Sequence, residues 1–236
     1  LALNRTIKIR YISDGEQKAN FMLSTLPKRL SHFTGLVEQA PAAREPLSTG
    51  SQAVDGISGG IPRATLTEIV GHASSGRTGL MWSLLQRATT AGEFCVLVDV
   101  QDTFDPASAM TAGVHLARLL WVRCSGHLEH ALKATDLLTR AGGFGVVVLD
   151  LSGTPGRITR RMPVASWFRL RHGAEQSGAA LVVISEQIQA GSCSRVQLEV
   201  RQKQCLWSAK LLRGIAASAG LRKRNQARIA SFDVSR

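Results

Sequence analysis

The sequence predicts an α/β fold with a central, mainly parallel sheet flanked by helices. Three observations predict it. Apolar runs at 94–100, 145–151 and 180–185 are continuous rather than alternating, as in strands buried on both faces. Segments with helical spacing of apolar residues, at 78–91, 106–118, 127–141 and 163–178, separate these runs. A glycine loop from Gly71 to Thr78 joins a strand-like run at 66–71 to the first of those helices. Strand and helix alternating at this spacing describe a doubly wound sheet.

Taken in order, residues 1–45 form an N-terminal arm and linker. Residues 1–15 are polar and irregular, the composition of a poorly ordered terminus. Phe21, Leu23, Leu26, Leu30, Phe33 and Val37 then recur at helical spacing with Pro27 between them. That pattern predicts one kinked helix or two short ones over 16–39. Residues 40–49 are rich in Ala and Pro and read as a linker. Residues 46–194 form the α/β core, with a further short strand at 119–123. Residues 195–236 form a β-rich extension. Its run at 196–200 alternates, which predicts an antiparallel strand, and 206–212 and 227–234 are weaker strand candidates. No internal repeat is visible.

Hydrophobic residues make up 44% of the 236, enough for a full-sized core. Lys and Arg number 29 against 17 Asp and Glu, a formal charge of +12. Such an excess favours an acidic partner, and no lipidation signal points to a membrane, so nucleic acid is the expected one. Residues 195–236 hold ten Lys/Arg and two acids, two thirds of the whole excess. Cys95, Cys124, Cys193 and Cys205 form no CxxC pair, which argues against structural zinc and fits a reducing cytoplasm. The first ten residues lack the apolar core of a secretory leader, and no apolar run approaches the ~20 residues of a membrane span.

Gly71-His72-Ala73-Ser74-Ser75-Gly76-Arg77-Thr78 fits the phosphate-loop pattern G-x-x-x-x-G-[KR]-T. Its glycines let backbone N–H groups turn inward, and the following helix adds its N-terminal dipole. Gly71, Ser74, Ser75, Gly76, Arg77 and Thr78 are therefore candidate nucleotide-binding residues, with the Thr78 hydroxyl placed for Mg²⁺. Arg77 stands where Lys is usual, and its planar fork is no substitute for a compact ammonium. The apolar strand ending in Asp150 supplies a second candidate, a carboxylate that orients metal-bound water. A turn that only holds the fold is the alternative reading of the loop.

These residues resemble the RecA family. Thr49-Gly50-Ser51 through Asp55, then Gly59-Gly60-Ile61-Pro62-Arg63, then the loop, are similar to that family's entry into its core. Residues 98–106 are similar to its second strand and turn, and the resemblance covers about 45–200. It implies ATP and Mg²⁺ as cofactors, bound at the loop and at Asp150. The family's water-activating glutamate falls on Gln101, and an amide cannot take a proton from water. Asp102 is adjacent, but alternation turns it elsewhere; Asp99 or Asp102 as a substitute base is the alternative. Arg77 and Gln101 together imply weak or absent ATP turnover. Glu186-Gln187-Ile188 resembles the family's Asn-Gln-Ile turn, and the Gly-rich DNA loop after it is cut to 189–194. The loop after Asp150 is replaced by 152–161, and the resemblance does not extend to the family's large C-terminal domain.

Among RecA relatives the chain most resembles the ImuA-type accessory proteins of bacterial translesion mutagenesis. That resemblance implies a cytoplasmic role in the DNA-damage (SOS) response. Its implied partners are single-stranded DNA, a Y-family polymerase-like protein with an error-prone polymerase, or RecA itself, with self-association through the N-terminal arm. Two alternatives stay open: an active DNA-dependent ATPase or recombinase, and an interaction or inhibitor module that does not bind DNA.

Candidate DNA contacts are Arg157, Arg160 and Arg161 in the loop after Asp150, and Arg222-Lys223-Arg224 near the end. In the family a comparable basic tripeptide reaches a neighbouring subunit's nucleotide; a solvated basic tail is the alternative. Trp167 and Phe168 lie among arginines, where base stacking competes with ordinary core packing. His127 and His130 share a helix face, and a surface helix explains them better than a metal does.

Overall fold

The computed structural model describes residues 8–11, 45–208, 211–223 and 226–235. The helical arm expected at 16–39 lies outside them. Among the described residues one nine-stranded sheet runs in the order β1-β4-β3-β5-β6-β2-β7-β8-β9. The strands are β1 (Lys8–Tyr11), β2 (Thr65–Val70), β3 (Cys95–Asp99), β4 (Leu119–Arg123), β5 (Val146–Asp150), β6 (Ala180–Ser185), β7 (Val196–Ser208), β8 (Leu211–Lys223) and β9 (Gln226–Ser235). The helices are α1 (Gln52–Ser58), α2 (Arg77–Thr90), α3 (Pro106–Thr111), α4 (Leu128–Ala141), α5 (Gly156–Thr159) and α6 (Val164–Ser177). The core from β4 to β7 is parallel throughout, as the continuous apolar runs predict.

Both faces of that core are covered. Val96, Val98, Val147, Leu149, Leu181 and Val183 pack with Ala134 and Leu138 of α4 and with Trp167 and Leu170 of α6. Their strand neighbours Leu97, Val146, Val148, Val182 and Ile184 turn to the other face, with Leu80, Leu84 and Leu85 of α2. Successive strand residues point to opposite faces, so each apolar run feeds two cores. Arg63 clamps the amino-terminal ends of the strands. It meets both Glu93 carboxylate oxygens, at 2.8 and 2.6 Å, and the Gly145 carbonyl at 3.3 Å.

Several expectations need correction. Residues 8–11 are not irregular: they pair antiparallel with β4 and cap that edge. Within the expected linker, Leu47 bridges to Ile61, and Thr49 is buried against the Asp55 carboxylate at 2.7 Å. The helix expected over 106–118 breaks after Thr111, because Gly113 takes a φ of 86°. Only a 3-10 turn, Leu116–Arg118, follows before β4. The strand at 196–200 is antiparallel to β8 from Leu198 on, as expected, and its other edge pairs parallel with β2 over Val196–Glu199. Residues 206–212 are not one strand: β7 ends at Ser208 and β8 begins at Leu211. No helix among the described residues is long and apolar enough to cross a membrane.

Candidate functional site

The glycine loop leaves the carboxyl end of β2 and enters α2, whose N-cap is Gly76 with φ 99°. Only glycine adopts that conformation cheaply, and Ser74 also takes a positive φ of 61°. The loop is tightly enclosed. A side chain at Gly71 would collide with the Val200 carbonyl and with Ser75. A Cβ at Gly76 would lie 3.2 Å from Ala217 and 3.5 Å from Val234. One at Gly79 would strike Val234 as well. The β8–β9 hairpin thus presses on the loop and on the first turn of α2. Ser74 and Thr78 are exposed; the Ser75 hydroxyl is buried with no partner among the described residues.

Arg77 does not reach into solvent. Its guanidinium is buried, donates to the Gly71 carbonyl, and lies 3.8 Å from the Glu186 carboxylate. Burial lowers its pKa from the usual arginine value, while Asp150 and Glu186 pull the other way. Asp150 ends β5 as planned by its strand, accepting the Ser152 N–H at 2.8 Å. Burial raises its carboxyl above the ordinary range; Ser152 and Arg77 oppose that shift and Asp99 adds to it. Arg77, Asp150 and Glu186 therefore form one electrostatic cluster at the carboxyl end of the sheet.

The neighbouring polar residues are committed elsewhere. Gln101 donates to the Thr154 hydroxyl at 3.3 Å. Asp99 accepts from Phe104 N–H at 2.8 Å and Trp121 Nε1 at 3.3 Å. Asp102, with φ 58°, turns to Ser125 and lies 3.1 Å from Arg123. Asp99 Oδ1 is buried with no partner among the described residues, while Asp102 supports the turn after β4. The loop's shape and helix N-terminus fit a phosphate, and Thr78 and Asp150 are the residues that would hold Mg²⁺. Gln101 itself carries an amide, which takes no proton from water.

The RecA N-terminal domain profile matches residues 32–155, just over half of the chain. The chain belongs to the RecA family. Protein RecA of Deinococcus radiodurans is 40% identical over 107 residues, covering 44% of this chain and 29% of that protein. Protein RecA of Acinetobacter baylyi is 34% identical over 145 residues, covering 59% of this chain and 41% of that one. This RecA-family chain thus spans well under half the length of those relatives. The crystal structure of the RadB recombinase superposes with a TM-score of 0.64 over 80% of this chain and 96% of its own, at 19% identity. That likeness is one of fold.

The other candidate residues of this RecA-family chain fall into two places. Arg157, Arg160 and Arg161 are exposed on and just after α5, beyond the carboxyl end of β5, and Arg160 donates to Gly156 O at 3.2 Å. They share the loop's end of the sheet. Arg222 does not: β8 runs back antiparallel to β7, with Leu221 opposite Leu198, and carries it toward the amino side of the parallel strands. There Arg222 lies 3.5 Å from Glu199. Arg224 lies outside the described residues. Trp167 is core and Phe168 is exposed. His127 and His130 stack at 5.0 Å, and no metal-capable cluster exists among the described residues.

Sequence reasoning missed Glu68. It is fully buried in the middle of β2. Its carboxylate accepts from Gln189 N–H at 2.6 Å, Ala190 N–H at 2.8 Å, Ser194 Oγ at 3.0 Å and Gln197 Nε2 at 3.2 Å. It thereby ties down the loop at 189–194. The available signal was a lone carboxylate inside an otherwise apolar strand, which burial tolerates only with partners.

Proposed function

We propose that this RecA-family chain is a DNA-repair accessory protein of the translesion-mutagenesis kind. It acts by binding single-stranded DNA and protein partners and does not turn over ATP efficiently. The observation that carries this reading is the state of the loop: Arg77 is held by Gly71 and Glu186, and Gln101 bonds Thr154. A charge stabiliser and a base are the two groups phosphoryl chemistry needs here, and both are diverted. RecA-family members generally bind ATP and Mg²⁺, bind DNA and self-associate. In this chain Gly71, Ser74, Ser75, Gly76, Arg77, Thr78 and Asp150 would hold the nucleotide and its metal, as a shape-keeping or switching ligand. Arg157, Arg160 and Arg161 support DNA phosphate contact by their exposure beside that loop. The partners proposed are a Y-family polymerase-like protein with an error-prone polymerase, or RecA itself.

ATP hydrolysis by the purified chain, with and without single-stranded DNA, tests the reading. The expected result is turnover near background, unchanged by Arg77→Ala. DNA-stimulated turnover abolished by Arg77→Ala would overturn it in favour of an active recombinase. Failure to bind any DNA in moderate salt would favour a pure interaction module.

A further inference from the structure

The β7–β8 hairpin outgrows the sheet. β7 is hydrogen-bonded to β2 only as far as Glu199, opposite Val70. Beyond that point β7 and β8 continue together past the carboxyl end of the parallel strands, out to the pair Ser208↔Leu211. Near the tip, Trp207 is 62% and Leu211 58% exposed. The other tryptophans behave differently: Trp121 and Trp167 are buried and Trp82 is half-buried. An exposed tryptophan at a ribbon tip is an apolar plane without a partner in the described chain.

The stretch 200–214 that makes the outer ribbon carries Arg201, Lys203, Lys210 and Arg213 and no acidic residue, while Glu199 at its base pairs with Arg201 at 2.7 Å. The strand register breaks twice, between Gln202 and Gln204 and between Leu206 and Trp207. The first break leaves Lys203 as the extra residue on β7; the second leaves Arg213 as the extra residue on β8. A bulge re-aims the side chain it carries, so both irregularities present a cation. Lys203 Nζ reaches across to Ser231 Oγ at 2.8 Å, and Arg213 is exposed.

We propose that this ribbon is a single-stranded nucleic-acid finger. Trp207 stacks on an unpaired base, and Lys203 and Arg213 contact the flanking phosphates. An aromatic plane among cations is the chemistry of single-strand binding, because every unpaired base offers a π-face and a duplex hides it. The ribbon projects from the same end of the sheet as the phosphate loop and the arginines 157, 160 and 161. A strand lying across that end would touch all three. This inference rests on the DNA reading above and adds a contact point to it.

The test uses the full chain and a labelled oligothymidine of about 20 nucleotides, longer than a typical single binding site. Trp207→Ala is expected to weaken binding about tenfold, with Trp207→Phe retaining most of the affinity. Oligonucleotide should quench the exposed tryptophan emission of the parent and not of Trp207→Ala. Lys203→Gln with Arg213→Gln should reduce the salt slope by about 1.4, the single-strand value for two phosphate contacts. Affinity unchanged in Trp207→Ala, as for a tip that docks a protein, would overturn the finger. If that affinity is instead lost on replacing Arg157, Arg160 and Arg161 by Ala, the DNA reading stands without the ribbon. No binding by the parent overturns both.

Discussion

Replacing Glu68 by Ala should loosen the loop at 189–194 and cost global stability. Two of the four donors to its carboxylate have other acceptors: Ser194 Oγ and Gln197 Nε2 also reach the Gly191 carbonyl, at 2.7 and 2.8 Å. Among the described residues the N–H groups of Gln189 and Ala190 have no acceptor but Glu68. Stranding a buried donor costs about 1–3 kcal/mol, so two cost ~2–6 kcal/mol, partly offset by no longer burying a charge. A net loss of ~3–4 kcal/mol is expected, a fall in Tm of about 6–16 °C for a domain of this size. Glu68→Gln keeps one oxygen for the two backbone donors and should lose only ~1–2 kcal/mol. Urea unfolding measures both, and hydrogen exchange at residues 189 and 190 locates the effect. A loss below ~1 kcal/mol for the Ala variant would show that the carboxylate is not what orders this loop.

Glu186→Gln should free Arg77 for an incoming phosphate. At 3.8 Å the pair interacts by ~1 kcal/mol in water-like screening and ~4 at protein-like screening; Glu186 is 47% exposed, so the lower figure applies. About fivefold tighter Mg²⁺-nucleotide binding by calorimetry is expected, and unchanged affinity would dissociate Glu186 from the site. Gly79→Ala normally stabilises a helix, but here the new methyl meets Val234; a loss of ~1–3 kcal/mol is expected, rescued by Val234→Ala. Thiol titration of the native chain should find one fast group, half-buried Cys205 on the ribbon. Cys95, Cys124 and Cys193 are buried, and burial pushes the Cys124 thiol up to about 12. Protection of Cys205 by oligothymidine would tie that reactivity to the ribbon; rapid reaction of all four without denaturant would contradict the packing.

What was legible in the sequence was local. Val146–Asp150 announces a doubly buried strand by its own composition, and Gly71 to Thr78 announces a strand-to-helix turn by spacing. What escaped depends on partners distant in the chain. Lys8–Tyr11 becomes a strand only because β4 offers an open edge more than a hundred residues later. The alternation at 196–200 reads as antiparallel, which holds on the edge facing β8; that its other edge meets β2 in parallel is a choice no local pattern encodes. Glu68 and Glu186 acquire meaning only when folding brings residues 189–197 and Arg77 against them. Gly113 was visible, but its left-handed φ, which ends α3 early, competes with a helical apolar pattern that continues through it.

The close fit of Val234 against Gly76 and Gly79 sets an order of events during synthesis. The glycine loop leaves the ribosome long before the strand that leans on it. At about 5–20 residues per second, the stretch from Gly76 to Val234 takes roughly 8–30 s to make. Through that interval the nascent loop lacks the contact with Val234. The loop's final geometry is therefore fixed by late-arriving residues, and a lesion in β9 would be felt as a maturation defect at the opposite end of the chain's own timeline.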